Sequence, residues 1–357
     1  MKKGRGRCLQ AVLMTLFRFA VMLTLAGQLS ASEPPKKTSE IKELTPGQAA
    51  TISEDMGIYW LQGLTSLTLD TAETLSKRKG STLYLDGLTN MTPEVAEVLS
   101  KFDGGDRDIG GFLTLGLTDL SPEVAEALAK HQGYLQLSRL TSTSLTVPIA
   151  EALAKHRGKG LTLPAVTELT PEVAKALSKH RGEYMCLYGL KMLTPDIAEV
   201  LAMHQGSSGL GLQGLTSLTP EVAKALVKKQ DRSLILNGLT TLSVEIAGIL
   251  ANSRGSLYLD GLATLTPDAA EALAKHKNSI ELDGLKNLTP EIAKALAKHQ
   301  GGSLELDGLT TLASEAAAAL AKYEGYLSLS GLVSVTPKAL KALHSNPGIA
   351  LQGKFRR

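Results

Sequence analysis

One short unit recurs through most of this 357-residue chain, and this repetition constrains its possible folds more than any other feature. The unit LTPEIAKALAKHQGGSLELDGL occupies residues 288–309, and the closely similar LTPDAAEALAKHKNSIELDGL occupies residues 265–285. A Gly-Leu pair marks the units at Gly63, Gly87, Gly116, Gly189, Gly214, Gly238, Gly261, Gly284, Gly308 and Gly331. Two degenerate units lie at residues 139–140 and 165–166. Such a period predicts a stack of about twelve small units rather than several globular domains.

Each unit has a strand-like half and a helix-like half. LYLDG (residues 83–87) alternates apolar and polar side chains, which is typical of a short strand. TPEVAEVLSK (residues 92–101) places its apolar side chains on one stripe of a helix. Thr92 is a good N-cap, and Pro93 fits the first helical turn. The glycine after the Lys-His pair of several units is expected to take the left-handed conformation that often ends a helix.

A single unit of this kind cannot bury its own apolar side. Hydrophobic residues make up 43% of the chain but aromatic residues only 4%, so the core must be built from aliphatic side chains. Stacked units solve this problem, because each strand can pair with the next into a parallel sheet while each helix covers its neighbours. Repetition is therefore how this sequence obtains a core.

The period, the L-x-L strand and the helix behind it resemble the leucine-rich repeat family, in an atypical bacterial-type form of 23–24 residues, over residues 57–353. The resemblance implies an α/β fold, a leucine-rich-repeat-like solenoid with a parallel β-sheet on one face and short α-helices on the other. It further implies a concave sheet that binds partners, with no shared catalytic chemistry.

The turn after each strand departs from the family pattern. The family has an Asn there, whereas this chain has a Gly followed by a leucine, as at Leu88, Leu190, Leu215 and Leu285. We expect the flexibility of the glycine and an extra apolar contact to hold the turn in place of an Asn ladder.

The N-terminus has the composition of a secretory signal. Four basic residues precede an apolar run, and small residues follow around Ser32. A membrane anchor is the alternative, but Arg18 interrupts the run, which is then too short for a span of about 20 residues. We predict a signal peptide at residues 1–32, a polar linker at 33–43, the solenoid at 44–353 and a basic tail at 354–357. The protein is then secreted or periplasmic, and not membrane-spanning after cleavage.

Cleavage would change the charge and the cysteine count. Residues 1–32 hold five basic and no acidic residues, so the formal charge would fall from +3 to −2 (3 − 5). This charge argues against nucleic acid as a partner. Cys8 would be removed with the signal, which leaves Cys186 as the sole thiol and no possible intrachain disulfide.

Acidic side chains gather on three consecutive predicted strands, at positions that alternate with the buried leucines. They are Asp260, Glu281, Asp283, Glu305 and Asp307. Neighbouring strands lie about 4.8 Å apart, so these like charges repel one another. A basic partner or a cation would relieve the repulsion. The alternative is a solvated face that only aids solubility.

Aromatic side chains occupy the same outward positions. Trp60, Tyr84, Tyr188 and Tyr258 are all predicted on the exposed sheet, although Trp60 has the alternative of packing under the N-terminal end. Exposed Tyr and Trp are frequent interface anchors, and they also stack on glycans. The predicted partner-binding residues are Tyr84, Asp86, Tyr188, Tyr258, Asp260, Glu281, Asp283, Glu305 and Asp307.

Six histidines occupy one repeat position, at the end of each predicted helix: His131, His156, His180, His204, His276 and His299. A metal row is conceivable, but rings on adjacent helices are expected roughly 8–10 Å apart, too far to share one ion. A cation at a helix C-terminus is favoured by the helix dipole, so we interpret the row as structural. The segment 103–111 interrupts the repeat and lacks the spacing of a calcium loop, which indicates a surface insertion.

The sequence predicts no catalytic residue, no metal site and no cofactor. We find no phosphate-binding glycine loop, no serine nucleophile motif and no zinc-protease motif. The favoured function is a non-enzymatic binding module whose exposed sheet binds an unknown protein, peptide or glycan of possibly basic character. The alternative is a structural or spacer protein of the envelope that has no single ligand.

Overall fold

The computed structural model describes residues 41–54, 59–105, 110–228 and 232–356. The predicted signal peptide and residues 33–40 of the predicted linker lie outside these ranges. Within them, strands and short helices alternate along the chain in the order that the repeat predicts.

Thirteen strands of the described chain form one parallel sheet, in which strand order follows chain order. The register is constant: Leu83 lies opposite Leu113, which lies opposite Leu135. Two further strands, β12 and β14 below, form a separate small sheet. The strands are β1 (Tyr59–Trp60), β2 (Thr82–Leu85), β3 (Phe112–Leu115), β4 (Tyr134–Leu137), β5 (Gly160–Thr162), β6 (Tyr184–Cys186), β7 (Gly209–Gly211), β8 (Ser233–Ile235), β9 (Leu257–Tyr258), β10 (Ile280–Glu281), β11 (Leu304–Glu305), β12 (Thr311–Leu312), β13 (Leu327–Ser328), β14 (Ser334–Val335) and β15 (Ile349–Ala350).

Short helices pack side by side behind the sheet, one for each repeat. They are α1 (Pro46–Glu54), α2 (Leu69–Ser76), α3 (Pro93–Leu99), α4 (Pro122–Leu128), α5 (Val147–Leu153), α6 (Pro171–Leu177), α7 (Pro195–Leu201), α8 (Pro220–Val227), α9 (Val244–Leu250), α10 (Pro267–Leu273), α11 (Pro290–Leu296), α12 (Ser314–Leu320) and α13 (Pro337–His344). Most begin with a Thr or Ser whose hydroxyl accepts a backbone N–H two or three residues on. At α3 the predicted cap Thr92 accepts from Val95, and Pro93 follows it, as the sequence predicted. No helix in the described ranges is long and apolar enough to cross a membrane.

The N-caps provide a stability test with an internal control. The Thr289 hydroxyl accepts a hydrogen bond from the backbone N–H of Ile292 at 3.3 Å, at the start of α11. Thr289→Ala is therefore expected to lower the free energy of unfolding by about 1 kcal/mol in urea titrations. Thr146 occupies the same position at α5 but makes no side-chain cap bond. Thr146→Ala should be close to neutral, and equal losses in the two variants would contradict this account of the caps.

Leucines of the strands and apolar residues of the helices form one continuous core. Leu83 and Leu85 of β2 are fully buried, and Ala96 and Leu99 of α3 close over them. Leu88, which replaces the family Asn, is also fully buried, as are its equivalents in later repeats. The predicted apolar contact at this turn is thus present, and the helical face of the sheet is dry.

The repeat glycines have a different role from the one that the sequence suggested. Positive φ angles among the described residues occur only at Gly104, Gly105, Gly110 and Gly353. The glycines after the Lys-His pairs, and those of the Gly-Leu pairs, are therefore not left-handed. They permit close approach between repeats: a Cβ on Gly308 would lie 1.6 Å from the carbonyl oxygen of Asp283. The expectation of left-handed or flexible glycine turns was wrong because stacking leaves no space for a side chain.

The solvent-facing surfaces of the helices are balanced in charge. Lysines of one helix region reach glutamates of the preceding helix, for example Lys155 to Glu126 at 2.7 Å and Lys298 to Glu271 at 2.8 Å. These pairs are exposed, so each contributes at most about 1 kcal/mol. They nevertheless neutralise the glutamates on this face.

The segment that interrupts the repeat is only partly described, since residues 106–109 lie outside the described ranges. Gly104, Gly105 and Gly110 adopt left-handed conformations, and Asp103 accepts the backbone N–H of Gly105 at 2.9 Å. The insertion therefore begins and ends in glycine turns.

Candidate binding face

The face of the sheet opposite the helices, called here the open face, carries three columns of side chains. Two of them are the columns that the sequence predicted. A third runs through the first residue of the strands or the residue before it, and its members include Phe112, Tyr134, Tyr184, Ser233, Ser256, Ser279, Ser303 and Tyr326. The sequence analysis missed this column because it took each strand to begin at its first leucine. The same alternation, extended by two residues, would have found it.

The structure brings the five predicted acidic residues together at β9–β11; we call them the acidic cluster (Asp260, Glu281, Asp283, Glu305 and Asp307). Glu281 lies opposite Tyr258 on one side and Glu305 on the other. It is only 8% exposed, whereas the other four are half-buried. None of the five forms an ion pair with any lysine, arginine or histidine in the described ranges.

Crowding and burial keep protons on this cluster. Burial, with the charges of Asp260, Glu305 and Asp283, raises the pKa of Glu281 to about 11. Glu281 is thus a neutral acid at physiological pH and donates a hydrogen bond to Asp260, whose own pKa is raised by burial. Burial and the neighbouring carboxylates raise the pKa of Asp283 to about 7 and also raise the pKa of Glu305.

The aspartates also form a ladder along the edge of the sheet. Each backbone N–H of this column donates to the side-chain oxygen of the preceding repeat: Asp260 to Asn237 (3.3 Å), Asp283 to Asp260 (3.1 Å), Asp307 to Asp283 (2.6 Å) and Ser330 to Asp307 (2.6 Å). The expectation that this chain has no side-chain ladder was therefore wrong. The ladder lies two residues before the leucine that was compared with the family Asn, on the opposite face of the sheet.

Three carboxylates of the cluster have the donor atoms that a hard cation prefers. One oxygen each from Asp260, Glu281 and Asp283 lie within 4.8 Å of one another. Ca²⁺ takes six to eight oxygen ligands, so these three would supply only part of its coordination. Two of the three already accept the ladder hydrogen bonds.

An apolar patch adjoins the acidic cluster on β6–β9; we call it the tyrosine patch (Tyr184, Cys186, Tyr188, Ile235 and Tyr258). Tyr184, Cys186 and Ile235 are buried against one another, and the rings of Tyr188 and Tyr258 pack on them. They converge over β7, which has only glycine at its open-face positions. Burial raises the pKa of the Cys186 thiol to about 11, so this thiol is unreactive. The prediction of exposed tyrosines was wrong in degree, since glycines on β7 let the rings lie flat.

Tyr84 and Asp86, the remaining predicted residues, lie on β2, far along the sheet from the others. Tyr84 stacks on Trp60 with ring centroids 4.2 Å apart, and Asp86 accepts a hydrogen bond from the Ser138 hydroxyl at 2.5 Å. Trp60 therefore packs on the open face and not beneath the N-terminal end. The structure does not join Tyr84 and Asp86 to the acidic cluster.

The histidines are closer to one another than the sequence analysis expected. Their stacked rings have centroids 5.3–6.4 Å apart, not 8–10 Å, because the loops that carry them follow the spacing of the strands. Their structural role is partly that of a cap: His276 Nδ1 lies 3.2 Å from the carbonyl oxygen of Ala251, at the end of the preceding helix. Burial lowers the pKa of the ring, so it caps as a neutral group and not as a cation.

One parallel strand and one helper helix per repeat, with leucine between them, make this chain a leucine-rich-repeat-like solenoid of the α/β class. Solenoids of this type commonly mediate protein binding through their long sheet surface. The class defined by the fold thus agrees with the one that the repeat resembles.

Comparisons with solved structures find the same kind of protein. A leucine-rich-repeat protein of Leptospira interrogans has a TM-score of 0.41 at 19% identity, with 88% of this chain and 82% of that chain covered. A chain of the Drosophila Toll–Spätzle complex has a TM-score of 0.46 at 14% identity (82% and 42% covered). An internalin of Listeria monocytogenes has a TM-score of 0.39 at 15% identity (86% and 88% covered). No protein-family model and no curated protein match the sequence.

Proposed function

We propose that this chain is a secreted or periplasmic, non-enzymatic binding module whose open face binds a basic segment of a protein or peptide. The acidic cluster supplies the charge for this contact, and the tyrosine patch beside it supplies apolar surface. The alternative, a spacer protein without a ligand, requires neither feature.

The observation that carries the proposal is the contrast between the two faces of the solenoid. Glutamates on the helices are neutralised by lysines of neighbouring repeats, as Glu126 is by Lys155. The acidic cluster has no such partner in the described ranges, although the chain has 38 basic residues to draw on. Unpaired, half-buried carboxylates lower stability, which is a common property of binding sites. A lysine or arginine from a partner would supply the missing charge.

The neighbouring surface favours a peptide over an isolated ion. Tyr258 belongs to the tyrosine patch and also lies directly opposite Glu281 of the acidic cluster. An extended segment that crosses the strands would therefore meet aromatic surface and carboxylates within adjacent repeats. Tyr and carboxylate side chains together suit arginine or lysine flanked by apolar residues.

Binding of a labelled basic peptide tests the proposal directly. Fluorescence anisotropy with a Lys/Leu-alternating octapeptide at low salt is expected to show saturable binding that weakens as salt is added. Glu305→Lys should weaken this binding at least about tenfold, because it places a cation among the remaining carboxylates.

A matched variant separates site binding from general attraction. Glu245→Lys makes the same charge change on the exposed first turn of α9, away from the open face. It should leave the affinity within about twofold of the wild-type value. Equal effects of Glu245→Lys and Glu305→Lys would favour the spacer alternative, as would the absence of saturable binding.

A further inference from the structure

A column of buried side chains runs along the solenoid, three residues beyond the last leucine of each helix. Three consecutive members, His156, His180 and His204, form what we call the histidine column. Other repeats place unrelated side chains at the same position, among them Phe102 and Tyr323, which are also buried. The position therefore requires burial but does not require histidine.

The three rings are stacked and connected. His156 and His180 have ring centroids 5.5 Å apart, and His180 and His204 have centroids 5.3 Å apart. Nδ1 of His156 lies 3.2 Å from Nε2 of His180, and Nδ1 of His180 lies 3.0 Å from Nε2 of His204. The first two residues are fully buried and His204 is 7% exposed. Gly182 and Gly206 pack against the rings so closely that a Cβ would lie within 3 Å of them.

This connection works only for neutral rings that share one orientation. A neutral imidazole has one N–H and one lone pair, so each ring must donate to its neighbour in the same direction. Protonation of Nε2 throughout satisfies the chain: His204 donates to His180, and His180 donates to His156. The Nε2–H of His156 then points towards the Gly133 carbonyl, and only a lone pair, on Nδ1 of His204, is left without a partner. The opposite orientation would leave a buried N–H without an acceptor there.

The surroundings offer no compensation for added protons. The charged or titratable groups that act on these rings are His131 from the preceding repeat, Arg232 from the following one, and the rings themselves. Glu183, on the same loop as His180, is already paired with Lys159 at 2.8 Å. Lys229, which has the equivalent position in the next repeat, lies outside the described residues. Every group in contact with the column is thus neutral or positive.

We propose that the histidine column is an acid-sensitive switch, which holds β5–β7 and their helices closed while its rings are neutral and opens these repeats when the rings take up protons. Two protons in one column would place like charges about 5 Å apart and set N–H against N–H. Opening relieves both conflicts, because each ring then reaches water. Repeats contact only their neighbours, so the centre can open while the ends remain folded.

The direction of the pH dependence follows from burial. Burial lowers the pKa of His156 to about 3, of His180 to about 2 and of His204 to about 4, from an ordinary value near 6.5. The open form therefore binds protons below pH 6.5 while the closed form does not. The contribution of the column to the closed state is complete above pH 6.5 and is lost as the pH falls. With three protons taken up, the opening constant rises by up to about a thousandfold per pH unit.

Hydrogen exchange of the full chain measures this opening. Exchange rates in residues 156–160, 180–184 and 204–209, corrected for intrinsic pH dependence, are compared at pH 7 and pH 5. We expect protection in the wild-type protein to fall more than about a hundredfold. The triple variant H156F/H180F/H204F, which copies Phe102, should change by less than about threefold. His344→Gln, a histidine outside the column, should respond to pH as the wild type does.

Equal protection of the wild type at the two pH values would overturn the switch, as would equal opening in the triple variant. Should the triple variant not fold, imidazole ¹⁵N spectra of the wild type decide the matter. Rings that stay neutral, with the proton on Nε2, down to pH 5 support the proposal. Rings that titrate near pH 6.5 while the backbone spectrum is unchanged refute it.

Discussion

Asp283→Asn is expected to stabilise this protein by about 2–4 kcal/mol at pH 8. The Asp283 carboxylate is charged at that pH, half-buried and surrounded by other acids, and these conditions raise its pKa from 3.8 to about 7. An amide removes the charge and keeps the shape. The ladder also survives, because an Asn oxygen accepts the next N–H just as Asn237 accepts from Asp260.

The pH dependence gives this prediction its sign. The folded pKa of Asp283 lies above the unfolded value, so the folded state binds more protons between about pH 4 and pH 7. Stability of the wild type therefore falls as the pH rises through this window, and the advantage of Asn is complete above it and absent near pH 4. Thermal unfolding followed by circular dichroism at pH 8 and pH 4 measures both limits.

Two controls keep the interpretation narrow. Asp283→Ala removes the ladder acceptor for the Asp307 N–H along with the charge, so its gain at pH 8 should be clearly smaller than that of Asn. Asp86→Asn, at the same strand position, lies outside the acidic cluster and should change stability little. A gain for Asp283→Asn that persists at pH 4 would contradict an origin in charge. The same variant should weaken the basic peptide, which links stability to the proposed site.

Gly308→Ala is expected to destabilise the protein by about 3 kcal/mol or more. Its Cβ would lie 1.6 Å from the carbonyl oxygen of Asp283, so the backbones of consecutive repeats must separate. This separation would strain both the pairing of β10 with β11 and the ladder bond from Asp307 to Asp283. Urea unfolding monitored by circular dichroism measures the loss.

Gly248→Ala is the matched control. This glycine lies within α9 and has nothing within 4 Å of its added Cβ. Alanine should therefore stabilise by about 1 kcal/mol through helix propensity. Losses of similar size at the two glycines would show that close packing between repeats is not the reason for Gly308.

Features that depend on one unit alone could be predicted from the sequence. The alternation that buries Leu83 and Leu85, the cap at Thr92 and the apolar turn at Leu88 all involve contacts within a few residues or a uniform core. Their periods of two and about 3.6 residues are set by strand and helix geometry. The acidic cluster was also predicted, because a fixed strand position repeated at a fixed period must form a column.

Features that depend on the distance between units could not be predicted in the same way. The spacing of the histidine rings was taken from helix packing, whereas their loops follow the strands at about 4.8 Å. The ladder from Asp283 to Asp307, and the packing of Tyr258 and Ile235 beside the glycines of β7, also require the register of neighbouring repeats.

The sequence by itself determined the class of fold, since a short repeat of strand and helix has no core unless it stacks. Only the tertiary structure decided what the repeated side chains do, because stacking brings equivalent residues from separate units into contact. At that distance aspartates hold a backbone N–H as well as a charge, and imidazoles share protons. The physical reason is that contact across repeats depends on a spacing of a few ångströms, which no single unit specifies.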